Sequence, residues 1–491
     1  MADVTAGGMT PPKLTVWQKA MFGVGSAAFG VKDGGFNTFL LLFYNQIVGI
    51  SATKVSLAIA IAIVVDAFVD PFIGVASDRW RSRWGRRHPF MFASAIPVAV
   101  LYFMLWTPPH WSADAMFLYV LVISITLRVF IAAYEVPSAA LVPELSRDYD
   151  ERTSILSWRL FFQLVVPAGV YVFTLNTFMK STPVYTNGML NPSAYFPYAV
   201  LASLVMLGSI LFSSFGTRSR IPYLKTNLGA PTVSVMQVIR ESFRSLSNPS
   251  FILVTISGLF SAMATGVNNS IGSYLGIYFW KFSSAQLSVL GFAALIASFI
   301  APPLSPWASR RFGKKRAGIA LAVLWLVFFQ SPPLLKLLGF LPPEGSPQLL
   351  AVLFVTTVIG WSLILAALIL LLSMITDINE DNELRTGQRA EGVFAAAGSF
   401  MNKIVTGAGI LVGGVLIDLV HFPAHATPQS IDPQIIRNLV SINIPVQVVL
   451  IGIAMVLLGM YKIDRAKHED NLKKIADAAA VEAEVVHKLE A

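Results

Sequence analysis

Cysteine is absent from this 491-residue chain, so disulfide frameworks and thiolate metal sites are excluded. Charge is scarce as well. Asp, Glu, Lys and Arg together make 13% of the residues, where a soluble protein carries about a quarter. No Gly-rich phosphate loop ending in Lys and Ser or Thr occurs, which excludes direct drive by ATP. The six histidines lack metal-ligand spacing and no Ser-His-Asp set can be assembled, so neither an enzyme nor a cofactor is expected. Residues 1–20 are polar, with Pro11 beside Pro12 and no apolar core, so no cleavable signal is read there.

What is present is apolar. Hydrophobic residues make 55% of the chain and the mean hydropathy is +0.66. Apolar stretches of about 18 residues or more recur along the whole length, the mark of a polytopic helical membrane protein. A β-barrel would instead show short alternating segments. Twelve spans are expected. The first six lie near Phe22–Ile47, Val55–Val75, Phe90–Trp106, Ala115–Ala139, Ile155–Phe178 and Tyr195–Phe215. The second six lie near Phe251–Trp280, Leu287–Trp307, Ala317–Phe340, Leu349–Ile375, Gly392–Val420 and Ile436–Tyr461. The expected division is a cytosolic segment 1–20, a bundle 21–215, a connector 216–248, a second bundle 249–462 and a charged tail 463–491.

The net charge of +9 sits in short loops, where it sets topology rather than marking a nucleic-acid partner. Arg79, Arg81, Arg83, Arg86 and Arg87 follow span two, and Arg310, Arg311, Lys314, Lys315 and Arg316 follow span eight. Both termini are therefore expected in the cytoplasm. The order aromatic, Gly, base, base recurs in Trp84-Gly85-Arg86-Arg87 and Phe312-Gly313-Lys314-Lys315. This echo between halves predicts an all-α major facilitator fold of two six-helix bundles with the site at the midplane.

Asp66 and Asp70 stand four residues apart in span two, on one helix face. Carboxylates at that depth need a cation, a proton or a base, and so mark a functional site; a structural ion pair is the plainer alternative. Span one carries Lys32, Asp33 and Asn37, span four carries Arg128, Tyr134 and Glu135, and Arg159 opens span five. Asp66, Asp70 and Glu135 together form a candidate cation site, for sodium or a proton. Arg128, two turns from Glu135, is an alternative partner for that acid. The second half is nearly bare of charge except for Lys403, which needs an acid from the first half; Asp66 or Asp70 is the candidate. Asn268, Asn269 and Ser270 in span seven either line a cavity or bond between helices. Trp361 and Tyr134 are candidates to stack on a solute, or plain packing.

These residues resemble the glycoside–pentoside–hexuronide:cation symporter family, the melibiose permease group of the major facilitator superfamily. The resemblance runs from about Trp17 to Asp464 and rests on Phe43-Tyr44-Asn45-Gln46, Asp66-Ala67-Phe68-Val69-Asp70-Pro71, Arg83-Trp84-Gly85-Arg86-Arg87 and Thr386-Gly387-Gln388-Arg389 with Lys403. It implies an inner-membrane symporter of a small solute, driven by sodium, lithium or protons; apart from the resemblance, twelve spans enclosing one site suffice as a monomer, with membrane lipid around them. It implies cation ligands at Asp66, Asp70 and Glu135, and solute contacts at Asp33, Glu135, Arg159 and Lys403. Ala132 replaces a hydroxyl and Ala139 an aromatic of the family pattern, which weighs toward proton coupling and away from a simple galactoside. The leading expectation is a sugar or glycoside symporter. A carrier of lysolipid or another amphipathic solute is the alternative, and a non-transporting sensor is the third reading.

Overall fold

A computed structural model describes residues 13–146, 148–224, 249–386 and 391–461. The run from Gly387 to Ala390, most of the connector and the charged tail lie outside the described residues, as does the start of the N-terminal segment. Everything described is helix, turn or loop. In hydrocarbon only a helix satisfies its own backbone groups within one segment, and the apolar runs above adopt that solution.

The first segment comprises α1 (Val16–Val24) and α2 (Ser26–Gly35), followed by π turns at Phe36–Leu40 and Phe43–Ile47. Gly25, between α1 and α2, keeps helical backbone angles and is required by a close approach. A Cβ there would stand 1.6 Å from the Tyr134 hydroxyl, so only glycine admits that ring. Then come α3 (Ala52–Arg79), α4 (His88–Trp106), α5 (Ala113–Leu145), α6 (Tyr149–Thr177) and α7 (Tyr195–Gly216). The second half holds α8 (Pro249–Tyr274), α9 (Ser284–Phe312), α10 (Lys314–Leu337), α11 (Pro347–Thr386), α12 (Glu391–Leu419) and α13 (Pro433–Gly459). Among the described residues, eleven helices, α3 to α13, are long and apolar enough to cross a membrane. The interrupted first segment is not one of these.

Helix starts follow local chemistry. Thr15 and Gln18 close a capping box at α1, and Ser283 and Gln286 close another at α9. Helices α1 to α7 pack among themselves, α3 against α5 and α4 against α7; in the second half α8 packs on α12 and α9 on α11. The α8–α12 crossing is tight because glycines face backbone in both directions. A Cβ on Gly266 would lie 2.4 Å from the Thr406 carbonyl oxygen, and one on Gly409 2.3 Å from that of Met263. Gly409→Val should therefore cost about 2–3 kcal/mol, read as a lower unfolding midpoint in detergent.

The two bundles meet along α3 and α12 and along α6 and α9. At one end they interlock through polar groups. Asp418 of α12 accepts from Ser51 Oγ (2.5 Å), Ala52 N (3.1 Å) and Thr53 N (2.8 Å) at the start of α3. Gln46 donates to the Pro423 carbonyl (3.1 Å) and accepts from Ala426 N (3.0 Å) and the Tyr278 hydroxyl (3.1 Å). Asn187 donates to the Phe282 carbonyl at 2.8 Å. At the opposite end the basic loops bond within their own bundles. Arg86 and Arg87 meet Glu144, and Arg87 also meets Asp78; Lys314 meets Asp377 at 2.6 Å.

Candidate ion and solute site

Helix α3 carries Asp66 and Asp70 one turn apart, and α12 brings Lys403 to both. Lys403 Nζ lies 3.0 Å from Asp66 Oδ2 and 2.5 Å from Asp70 Oδ2. The helices approach this closely because Gly407 and Gly414 of α12 face Ala60 and Ser56 of α3; a Cβ on Gly414 would fall 2.0 Å from Ser56 Oγ. The pairing suggested by the lone lysine of the second half is thus the one found. Among the described residues it is the only ion pair joining the bundles.

Each other acid of the cluster has a base from its own bundle. Arg128 of α5 reaches Asp66 at 3.3 Å and stacks its guanidinium 4.9 Å from the Phe36 ring. Lys32 pairs with Asp33 at 2.7 Å. Arg159 of α6 binds Glu135 at 2.5 Å and donates to Ser138 Oγ at 2.8 Å. The partner of Glu135 is therefore Arg159, not Arg128. Helix spacing placed Arg128 on the same face as Glu135, but packing turns its guanidinium to α3. The cluster holds four acids (Asp33, Asp66, Asp70, Glu135) and four bases (Lys32, Arg128, Arg159, Lys403), so its formal charge is zero.

The three carboxylates expected to share one cation do not converge here. Among the described residues no group of three or more carboxylate or imidazole side chains is placed to hold a metal ion. Glu135 stays with Arg159, while the ammonium of Lys403 bridges the other two. Asp66 and Asp70 do supply the oxygen chemistry a hard monovalent cation needs. Pro71 lacks an N–H, which also frees the Ala67 carbonyl from its helical bond one turn back. The same device recurs at Pro137, two residues after Glu135.

A cavity of about 420 Å³ lies between the bundles. Asn37 and Thr38 of the first segment, Asn268, Asn269 and Ser273 of α8, and Thr357 and Trp361 of α11 line it, with Tyr171 and Phe39. Among the described residues no charged side chain lines it. Asn37, Asn268 and Trp361 from the sequence reading are brought together; Asp33, Glu135, Arg159 and Lys403 are not in its lining. Asp33 sits one helical turn before Asn37. Tyr134 is placed elsewhere: it is buried, and its hydroxyl donates to Ser213 Oγ at 2.8 Å. Helix α8 continues unbroken through Asn268 to Ser270, and its π turn comes only at Leu275–Phe279. Asn268 and Asn269 face the cavity, whereas Ser270 donates to the Ile410 carbonyl of α12 at 3.0 Å. Thr357 was missed, although its place four residues from Trp361, and so on the same helix face, could have pointed to it. Tyr171 and Asp418 gave no such signal, since nothing local sets them apart from packing or capping residues, and Gln46 stood out only as part of the Phe43–Gln46 motif, with no role attached.

An apolar helical shell, an interlocked end and a polar cavity beside a charge-balanced cluster define a multi-pass membrane transporter, not an enzyme. The sequence matches the family described as MFS/sugar transport protein over residues 21–465, and the chain belongs to that family. It is 23% identical over 435 residues to the isoprimeverose transporter of Lactiplantibacillus pentosus, covering 87% of this chain and 85% of that one. It is 22% identical over 494 residues to the sodium-dependent lysophosphatidylcholine symporter 1-A of Danio rerio, covering 94% and 88%. The crystal structure of the nucleoside transporter NupG superposes with a TM-score of 0.61 at 14% identity, covering 91% of this chain and all of that one, a likeness of fold.

Proposed function

We propose that the protein is a secondary active symporter of the cytoplasmic membrane that couples a monovalent cation, Na+ or H+, to a sugar or glycoside. It works by alternating access, as a monomer of twelve spans counting the interrupted first segment. The observation that carries this reading is the cavity. Amides and hydroxyls from three helices face it together with the rings of Trp361, Tyr171 and Phe39, and among the described residues no charged side chain does. Such a lining suits an uncharged solute with many hydroxyls and at least one apolar face. Segments 1–20, 216–248 and 463–491 are then cytosolic, and the interlocked end faces outward.

The charge cluster supplies the coupling. A cation entering at Asp66 and Asp70 competes with Lys403 for the same oxygens. Once displaced, the ammonium is costly to enclose until it finds an acceptor. A solute bridging both bundles in the cavity offsets that cost, so cation alone does not complete the transition and cation with solute does. With no cation bound, Lys403 balances the acids and the empty carrier can return. The two ligands therefore move together.

The test is uptake into proteoliposomes from a panel of labelled mono- and disaccharides under an imposed sodium or proton gradient. Gradient-dependent accumulation of one sugar is the expected result. Accumulation of lysophospholipid that no free sugar competes would replace this reading by the amphipathic-solute one, and absence of counterflow for every solute would leave only the sensor.

A further inference from the structure

Three of the four acids in the cluster are neutralised from within the first bundle: Asp33 by Lys32, Glu135 by Arg159 and Asp66 by Arg128. Asp70 is different. Its one ion-pair partner among the described residues is Lys403, and Lys403 belongs to the other bundle. When the bundles part along α3 and α12, Asp66 keeps a base and Asp70 does not. The burial follows the same division. The side chains of Asp66 and Arg128 are 8% and 7% exposed, whereas those of Asp70 and Lys403 are 34% and 27% exposed.

We infer that Arg128 is a positioning residue that holds Asp66 as a permanently balanced anion, leaving Asp70 as the single carboxylate whose charge the coupling cation must balance. Its guanidinium is itself fixed, buried between α5 and α3 and stacked on Phe36. It therefore stays with Asp66 throughout the cycle, and one monovalent cation restores neutrality to the first bundle. The inference rests on the metal-cation form of the function proposed above. It goes further by dividing the acid pair into a fixed member and an exchanging one.

The experiment titrates sodium, and separately lithium, into the purified full-length protein with choline holding the ionic strength constant. Unfolding midpoint and intrinsic tryptophan fluorescence are read for wild type, Arg128→Gln and Arg128→Lys. Wild type should respond with a Hill slope of about one. Arg128→Gln leaves two carboxylates without a resident base, so its slope should rise toward about two, with a larger sodium stabilisation than wild type. Arg128→Lys should restore the slope of wild type, a rescue that a purely structural role would not tie to ion number. If Arg128→Gln folds only in sodium and not in choline, the inference is supported; failure to fold in both overturns it. So do a wild-type slope near two, an unchanged slope in Arg128→Gln, and a wild type indifferent to both ions. The uptake experiment decides the broader symport reading separately, because a proton-driven carrier would pass that test and fail this one.

Discussion

Asp70→Asn is expected to insert, fold and exchange solute, yet to lose accumulation against a gradient. Asn preserves the size of the side chain and removes the charge that Lys403 meets at 2.5 Å. The lysine keeps Asp66, 3.0 Å away, so no ammonium is stranded and the link between bundles survives in weaker form. What disappears is the competition between cation and ammonium for Asp70. Without it the carrier reorients regardless of the cation, and the solute ratio across the membrane relaxes to about one rather than following the ion gradient. Counterflow in proteoliposomes, which needs no gradient, should persist, and the contrast between the two assays is the signature. Undiminished uphill uptake by the Asn protein would show that the coupling charge lies elsewhere.

The part of this site that the sequence disclosed is the part that hydrophobicity makes conspicuous. A carboxylate or ammonium inside an apolar run stands out, so Asp66, Asp70, Glu135 and Lys403 were evident, and scarcity of charge in the second half left Lys403 little choice of partner. Most of the helices begin and end within a few residues of the apolar runs for the same reason. Pairings among several candidates were less accessible. Glu135 had Arg128 on its own helix face and Arg159 on the next helix, and only packing decides for Arg159. The need for glycine at Gly25 comes from the Tyr134 hydroxyl packed against it, a contact that a one-dimensional pattern does not contain. The interlocked end was the least legible. Its groups are a helix-end aspartate, a glutamine and loop carbonyls, residue types that elsewhere cap or decorate surfaces.

That end carries the second large effect. Asp418→Ala removes one acceptor from three donors of the opposite bundle, Ser51 Oγ and the amides of Ala52 and Thr53. Two of these are unsatisfied N–H groups at the start of α3, where an anionic acceptor is worth about 1–2 kcal/mol. The loss falls on the closed state alone, because the contact exists only while α12 lies against α3. A shift of that size changes the ratio of open to closed at this end by about tenfold. The chain offers a clean reading of it. Since it has no cysteine, Ala294→Cys in the cavity lining supplies the one thiol for a membrane-impermeant maleimide applied from the interlocked side. Labelling should speed up by about the same factor in Asp418→Ala. Asp418→Asn, which keeps one acceptor oxygen and loses the charge, should fall between the two. If both variants label at the rate of the parent, the clamp does not govern access, and the burden passes to Gln46 and the loop groups from Pro423 to Ala426 that it holds.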